Sequence, residues 1–141
     1  MYYSTLFIAE NLCYTHRHME YVTYDEFKKM DIRVGTIRHI EEIEGADKLL
    51  KFLIQFTEEL KTEDFEMPDG TTVPVRQILS GIREYYPDYN ELIGKQVLYI
   101  VNLEPRTIRG LESNGMLMAV GDDAPIFLIP ESPVEPGSKV R

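Results

Sequence analysis

The stretch NLEPRTIRGLESNGMLMA, residues 102–119, lies between two apolar runs and decides how the rest of the chain is read. Proline cannot donate to a sheet ladder, so a strand running into Asn102 and Leu103 must end ahead of Pro105. Gly110 and Gly115 supply positions where positive φ is cheap, and apolar residues return at Met116, so the chain turns back and re-enters a sheet. A connection between buried strands that carries Arg106, Arg109, Ser113 and Asn114 reads as a working surface, because sites concentrate on loops held by a rigid scaffold.

The flanking sequence supplies that scaffold. Asp31 to Glu44 alternates as a half-buried strand, with a change of parity between Ile40 and Ile43 that predicts a bulge or bend. Gly35 in its middle predicts a strand coiling round a barrel. A turn at Gly45 leads to a second, almost continuously apolar strand, Lys48 to Phe56. Thr57 to Thr72 follows, tipped by Pro68-Asp69-Gly70, and is expected to be an extended hairpin tip or a mobile loop. The third strand is Val73 to Ile82. One or two helical turns over Tyr85 to Gly94 begin at Pro87 and stop at Gly94, with Tyr85, Tyr86 and Tyr89 packing as a plug. Lys95 to Leu103 is the fourth strand and Met116 to Val120 the fifth. Ala124 to Ile129 and a tail with Pro130, Pro133 and Pro136 form an extended edge. Short strands, glycine bends and one brief helix after the third strand describe an all-β protein: an OB-fold, the five-stranded, partly open barrel, with a short flanking helix and a C-terminal strand extension. Its ligand face is expected on strands two and three and at the loops Glu44 to Lys48 and Leu103 to Gly115.

The 141 residues suit one domain, and 43% hydrophobic residues suffice for a core. The longest apolar runs, such as Val97 to Val101, fall far short of the roughly 20 residues a membrane helix needs, so no membrane role is expected. The single cysteine, Cys13, allows no internal disulfide and fits the cytoplasm. Residues 1–18 follow no periodic template and are expected to be a disordered or misassigned leader, with the domain spanning 19–141. Thr23 to Glu26 is a capping box that opens a short helix. His16 and His18 lack acid or thiol partners, so no metal site is expected.

The net charge of −9 is local in origin. Residues 57–72 hold six acids and one lysine, whereas residues 75–118 hold five cations against five acids. A core that is neutral overall can still present a basic face. Catalysis is not expected: no nucleophile elbow and no glycine-rich loop before a helix occurs, and Glu41 and Glu42 are strand neighbours that point to opposite faces. Lys48, Arg76, Arg106 and Arg109 all fall on or near the ligand face and could engage phosphate. Asn102, Ser113 and Asn114 could bond bases or 2′-hydroxyls of single-stranded or looped RNA.

The blocks DIRVGTI, EGADKLL, RQILSGI, YYP, LIGKQV, NLEPRTIRGLESNGM and PGSKV, in that order, resemble the tRNA-binding domain family. That family includes the C-terminal domain of many methionyl-tRNA synthetases, the endothelial-monocyte-activating polypeptide, free-standing tRNA-binding proteins and an export-related chaperone. The resemblance implies an OB-fold, a homodimer, and recognition of tRNA shape without catalysis or cofactor, alone or beside a methionyl-tRNA synthetase catalytic subunit. It adds Ser80 beside Arg76 in the third-strand motif, and Gly115 and Met116 after Ser113 in the S-x-G-M motif. Few lysines and a long acidic segment depart from the tRNA-binding relatives, and they keep open a chaperone that binds unfolded peptides in the same mouth.

Overall fold

The computed structural model describes residues 19–141. The expected leader, with Cys13, His16 and His18, lies outside the described residues. The capping box is present: Thr23 Oγ1 accepts the Glu26 N–H at 3.2 Å and the Glu26 carboxylate accepts the Thr23 N–H at 2.7 Å. It opens α1 (Tyr24–Lys28), which buries none of its residues.

A long strand, β1 (Ile32–Ile43), organises the sheet by serving two neighbours in succession. Its first half, Ile32 to Thr36, pairs antiparallel with β5 (Gln96–Ile100), and its second half, from Thr36 onward, pairs antiparallel with β2 (Ala46–Gln55). A strand shared in this way must coil, and two register shifts take up the bend: one at Glu42/Ile43, where the parity change predicts it, and one at Ile37/His39, which the alternation does not announce. Gly35 sits at the crossover for a steric reason. A Cβ there would overlap Ile54 and come within 2.7 Å of the Phe56 ring, so the wall of the barrel touches its own filling. Where β2 has peeled away, the tail takes over the open edge of β1: Val34 N–H donates to Ser138 O at 2.9 Å and Val140 N–H to Ile32 O at 2.8 Å. The core inside is apolar, with Ile37, Leu50, Phe52, Ile54, Ile78, Val97 and Tyr99 fully buried. Burial also pushes the Tyr99 phenol above its ordinary pKa range.

The sheet has six strands where five are expected. The additional one, β3 (Glu63–Glu66), comes from the acidic segment and pairs with β4 (Thr72–Ser80). It holds because Phe65 stacks on His39 at 5.3 Å between ring centroids, and Lys61 pairs with Glu58 and Asp64. The strand order is β3-β4-β2-β1-β5-β8, with β8 at Met116–Leu117. The helical plug is two 3-10 turns, Arg83–Tyr85 and Tyr89–Leu92. Tyr86 and Tyr89 pack against the core as expected, and the Tyr86 hydroxyl donates to Pro125 O at 2.6 Å. Residues 106–113 form a hairpin of their own, β6 (Arg106–Ile108) and β7 (Leu111–Ser113). A last pair, β9 (Ala119–Val120) with β10 (Ile126–Phe127), precedes the tail. The whole is an all-β, barrel-like fold.

Candidate functional site

The two strands that must approach each other for the barrel to close are β4 and β8, and in place of a ladder one backbone bond and several side-chain bonds draw them together. Ser113 and Asn114, both buried, lie on the chain leading into β8. Asn114 N–H donates to Gln77 O at 3.0 Å, and the Ser113 hydroxyl accepts the Leu79 N–H at 3.0 Å while facing Gly115 O at 3.4 Å. Arg76 on β4 donates to three carbonyls from separate segments: Nε to Asn114 O at 2.6 Å, Nη1 to Leu60 O at 2.6 Å and Nη2 to Val101 O at 2.9 Å. Burial pulls its guanidinium below the ordinary arginine pKa, and the charge of Asp31 opposes that shift. Gly115 follows with φ +152°, and a Cβ there would stand 2.8 Å from Ile100 O. Only glycine passes through that gap without strain.

The seam engages part of the expected site with backbone. Arg76 does not share a patch with Arg106 and Arg109, because its donors are turned inward onto backbone carbonyls. Asn102 is likewise engaged: its Oδ1 accepts the Asp31 N–H at 2.8 Å and its Nδ2 donates to Lys29 O at 2.6 Å, which ties the end of the fourth expected strand to the start of β1. Ser113 is held by Leu79. These three residue types are as suited to bonding backbone as to bonding RNA, and sequence alone does not distinguish the two uses.

Beside the seam, between the end of β4 and the β6/β7 hairpin, lies a groove of about 540 Å³. It collects Ser80, Arg106, Ser113, Gly115 and Met116 from the expected residues. Its remaining walls include Leu79, Leu103 and Ile108, which lie on the expected third strand and the Leu103 to Gly115 loop but, being apolar, look individually like core. Met116 is 47% exposed and Leu103 42%, so the floor offers apolar area to a ligand. Lys48 stands at the Gly81 end, its carbonyl 3.9 Å from where a Gly81 Cβ would be. Arg109 sits at the tip of the hairpin with φ +53° beside Gly110 at +78°, the double positive φ of a two-residue turn matched to strand twist. Lys48, Arg106 and Arg109 are exposed, and among the described residues none of them forms an ion pair. Glu104 is the carboxylate in the groove wall.

No residue of the acidic segment 57–72 lines this groove. Glu63 pairs with Val75, and Leu79 in the groove lies four residues further along β4. A larger cleft of about 760 Å³, between Gln96, Phe127 and the proline-containing tail, shares no wall with the groove. Its lining holds two cations, Arg38 and Lys95, of which Arg38 is bonded to Gln55.

Comparison with known proteins places the chain in a family. The profile of a family described as "Putative tRNA binding domain" matches residues 32–139. The methionine–tRNA ligase of Methanocella arvoryzae is 42% identical over 120 residues, covering 85% of this chain and 15% of that enzyme. That of Porphyromonas gingivalis is 40% identical over 124 residues, covering 86% of this chain and 16% of the enzyme. The chain therefore spans about 15% of the length of the curated relatives it matches. Among solved structures, a MetRS-related protein from Pyrococcus horikoshii superposes with a TM-score of 0.66 at 30% identity, covering 87% of this chain and 100% of that one. The CsaA chaperone protein of Picrophilus torridus superposes with a TM-score of 0.68 at 28% identity, covering 86% of this chain and 100% of that one.

Proposed function

Because the chain belongs to the tRNA-binding domain family, we propose that it is a non-catalytic, cytoplasmic module of OB type that binds tRNA by shape in the groove between β4 and the β6/β7 hairpin. The observation that carries the reading is Arg106 in the wall of an apolar-floored groove, with exposed Lys48 and Arg109 on the two segments that flank it; two of the three are arginines, whose planar forks match phosphate oxygens. Phosphates would be anchored by these three cations. The Ser80 hydroxyl would offer a polar contact, and Met116 would pack under an unstacked base. Arg76, Asn102 and Ser113 shape the groove and leave the ligand contacts to its rim.

The module would serve a methionyl-tRNA synthetase as a separate accessory subunit or act alone, as a homodimer in either case. Support for self-association comes from apolar residues left in solvent on and before α1, with Tyr21 89% and Val22 73% exposed, and near β10, with Ile126 62% and Ile129 64% exposed. Sedimentation equilibrium tests this, and a monomer at micromolar concentration contradicts it.

A second reading is favoured by the likeness to the chaperone protein and by the apolar groove floor: the same mouth would take an extended, unfolded peptide. Titration with total tRNA and with an unfolded basic polypeptide, each at low and at physiological salt, separates the two. Binding of tRNA that weakens steeply with salt is expected. Preference for the polypeptide at physiological salt would hand the groove to the chaperone reading.

A further inference from the structure

We infer that Arg76 is a positioning residue: a brace that sets the width of the groove from behind and never meets the ligand. The inference bears on binding only through the groove reading above, and its test is built to stand apart from that reading. The sheet closes at β4 and β8 without a ladder between them in the strand order, so their separation rests on individual bonds: Asn114 to Gln77, Leu79 to Ser113, and those of Arg76. Arg76 holds both walls at once. The carbonyl of Asn114, which it grips at 2.6 Å, precedes Gly115 and Met116 in one wall, and the carbonyl of Val101, at 2.9 Å, lies two residues before Leu103 in the other. Its third bond, to Leu60 O at 2.6 Å, anchors the 3-10 turn Glu58–Leu60 to the same point. Three carbonyls arriving from three directions need a rigid planar fork of N–H donors. A lysine carries the same charge as a single flexible ammonium and cannot reproduce that geometry.

Hydrogen–deuterium exchange of the free Arg76→Ala and Arg76→Lys proteins tests this, together with tRNA titrations across salt concentrations. A brace predicts faster exchange confined to residues 58–62 and 101–117 in both variants. It also predicts at least tenfold weaker tRNA binding with an unchanged slope of log affinity against log salt, and no rescue by lysine. A role in global stability alone would raise exchange throughout β1, β2 and β5 and spare the affinity of the folded protein, which would overturn the inference. A phosphate anchor would also overturn it: exchange would stay at the wild-type level, the Arg76→Ala slope would fall by about 0.7 to 0.9, and lysine would restore binding. Should neither variant fold, the Arg76 Nε–H resonance of the unmodified protein decides the matter. A brace gives a slowly exchanging proton that does not shift on adding tRNA, and fast exchange that slows with tRNA contradicts it. If the unmodified protein binds no tRNA, the proposed function falls while the exchange results still decide the role of Arg76.

Discussion

The seam and the rim of the groove are built from the same kinds of residue and treat them in opposite ways. At the seam, Arg76, Ser113 and Asn102 have their polar atoms bonded to backbone from distant segments, and Ser113 is only 6% exposed. At the rim, Lys48, Arg106 and Arg109 stand in solvent without ion-pair partners among the described residues. The difference teaches that a polar residue near a binding groove is a ligand contact only when its donors and acceptors are still free. Substitutions in the seam should therefore change stability with little effect on salt dependence, whereas those at the rim should do the reverse.

The largest effect on that contrast is expected at Gly115. Substitution by alanine forces a side chain into a left-handed φ of +152° and against Ile100 O. Strain and overpacking together should cost about 3 kcal/mol, read as a lower urea midpoint at an unchanged m-value. Ser113→Ala comes next. It leaves the buried Leu79 N–H without its acceptor, and that should cost about 1 to 3 kcal/mol while the salt slope of tRNA binding stays as in the unmodified protein. Arg109→Gly sharpens the contrast from the other side, because it relieves a non-glycine residue at φ +53°. The hairpin should become more stable by about 1 kcal/mol, yet tRNA should bind more weakly. Arg106→Ala should move thermal stability least, by under about 0.5 kcal/mol. A loss of stability there comparable to that of Ser113→Ala would mean that the rim and the seam are not separate.

Much of the fold is written locally and can be read without coordinates. The parity change after Ile40 announces the second bulge of β1, Thr23 and Glu26 announce a cap, and Gly35 announces a strand that coils round a barrel. What stays hidden depends on partners far away in the chain. Glu63, Asp64 and Glu66 are poor strand formers, and they become β3 because β4 offers a ladder and His39 offers a face to Phe65. The connection at residues 106–113 folds into a hairpin because Arg109 accepts a left-handed conformation that its residue type disfavours. The candidate site divides along the same line. Arg106 and Met116 are legible because they stand where a barrel mouth should be, whereas the role of Arg76 is decided by three carbonyls from segments 16, 25 and 38 residues away. A residue type records which bonds are possible, and only the fold records which have already been made.

The central claim, that the rim cations hold RNA phosphates, is tested most directly by titrating total tRNA at several salt concentrations against the unmodified protein and a Lys48→Ala, Arg106→Ala, Arg109→Ala triple variant. Loss of about three phosphate contacts should flatten the slope of log affinity against log salt by about 2 to 3, with the urea midpoint lowered by nothing. An unchanged slope in a folded triple variant would contradict the account.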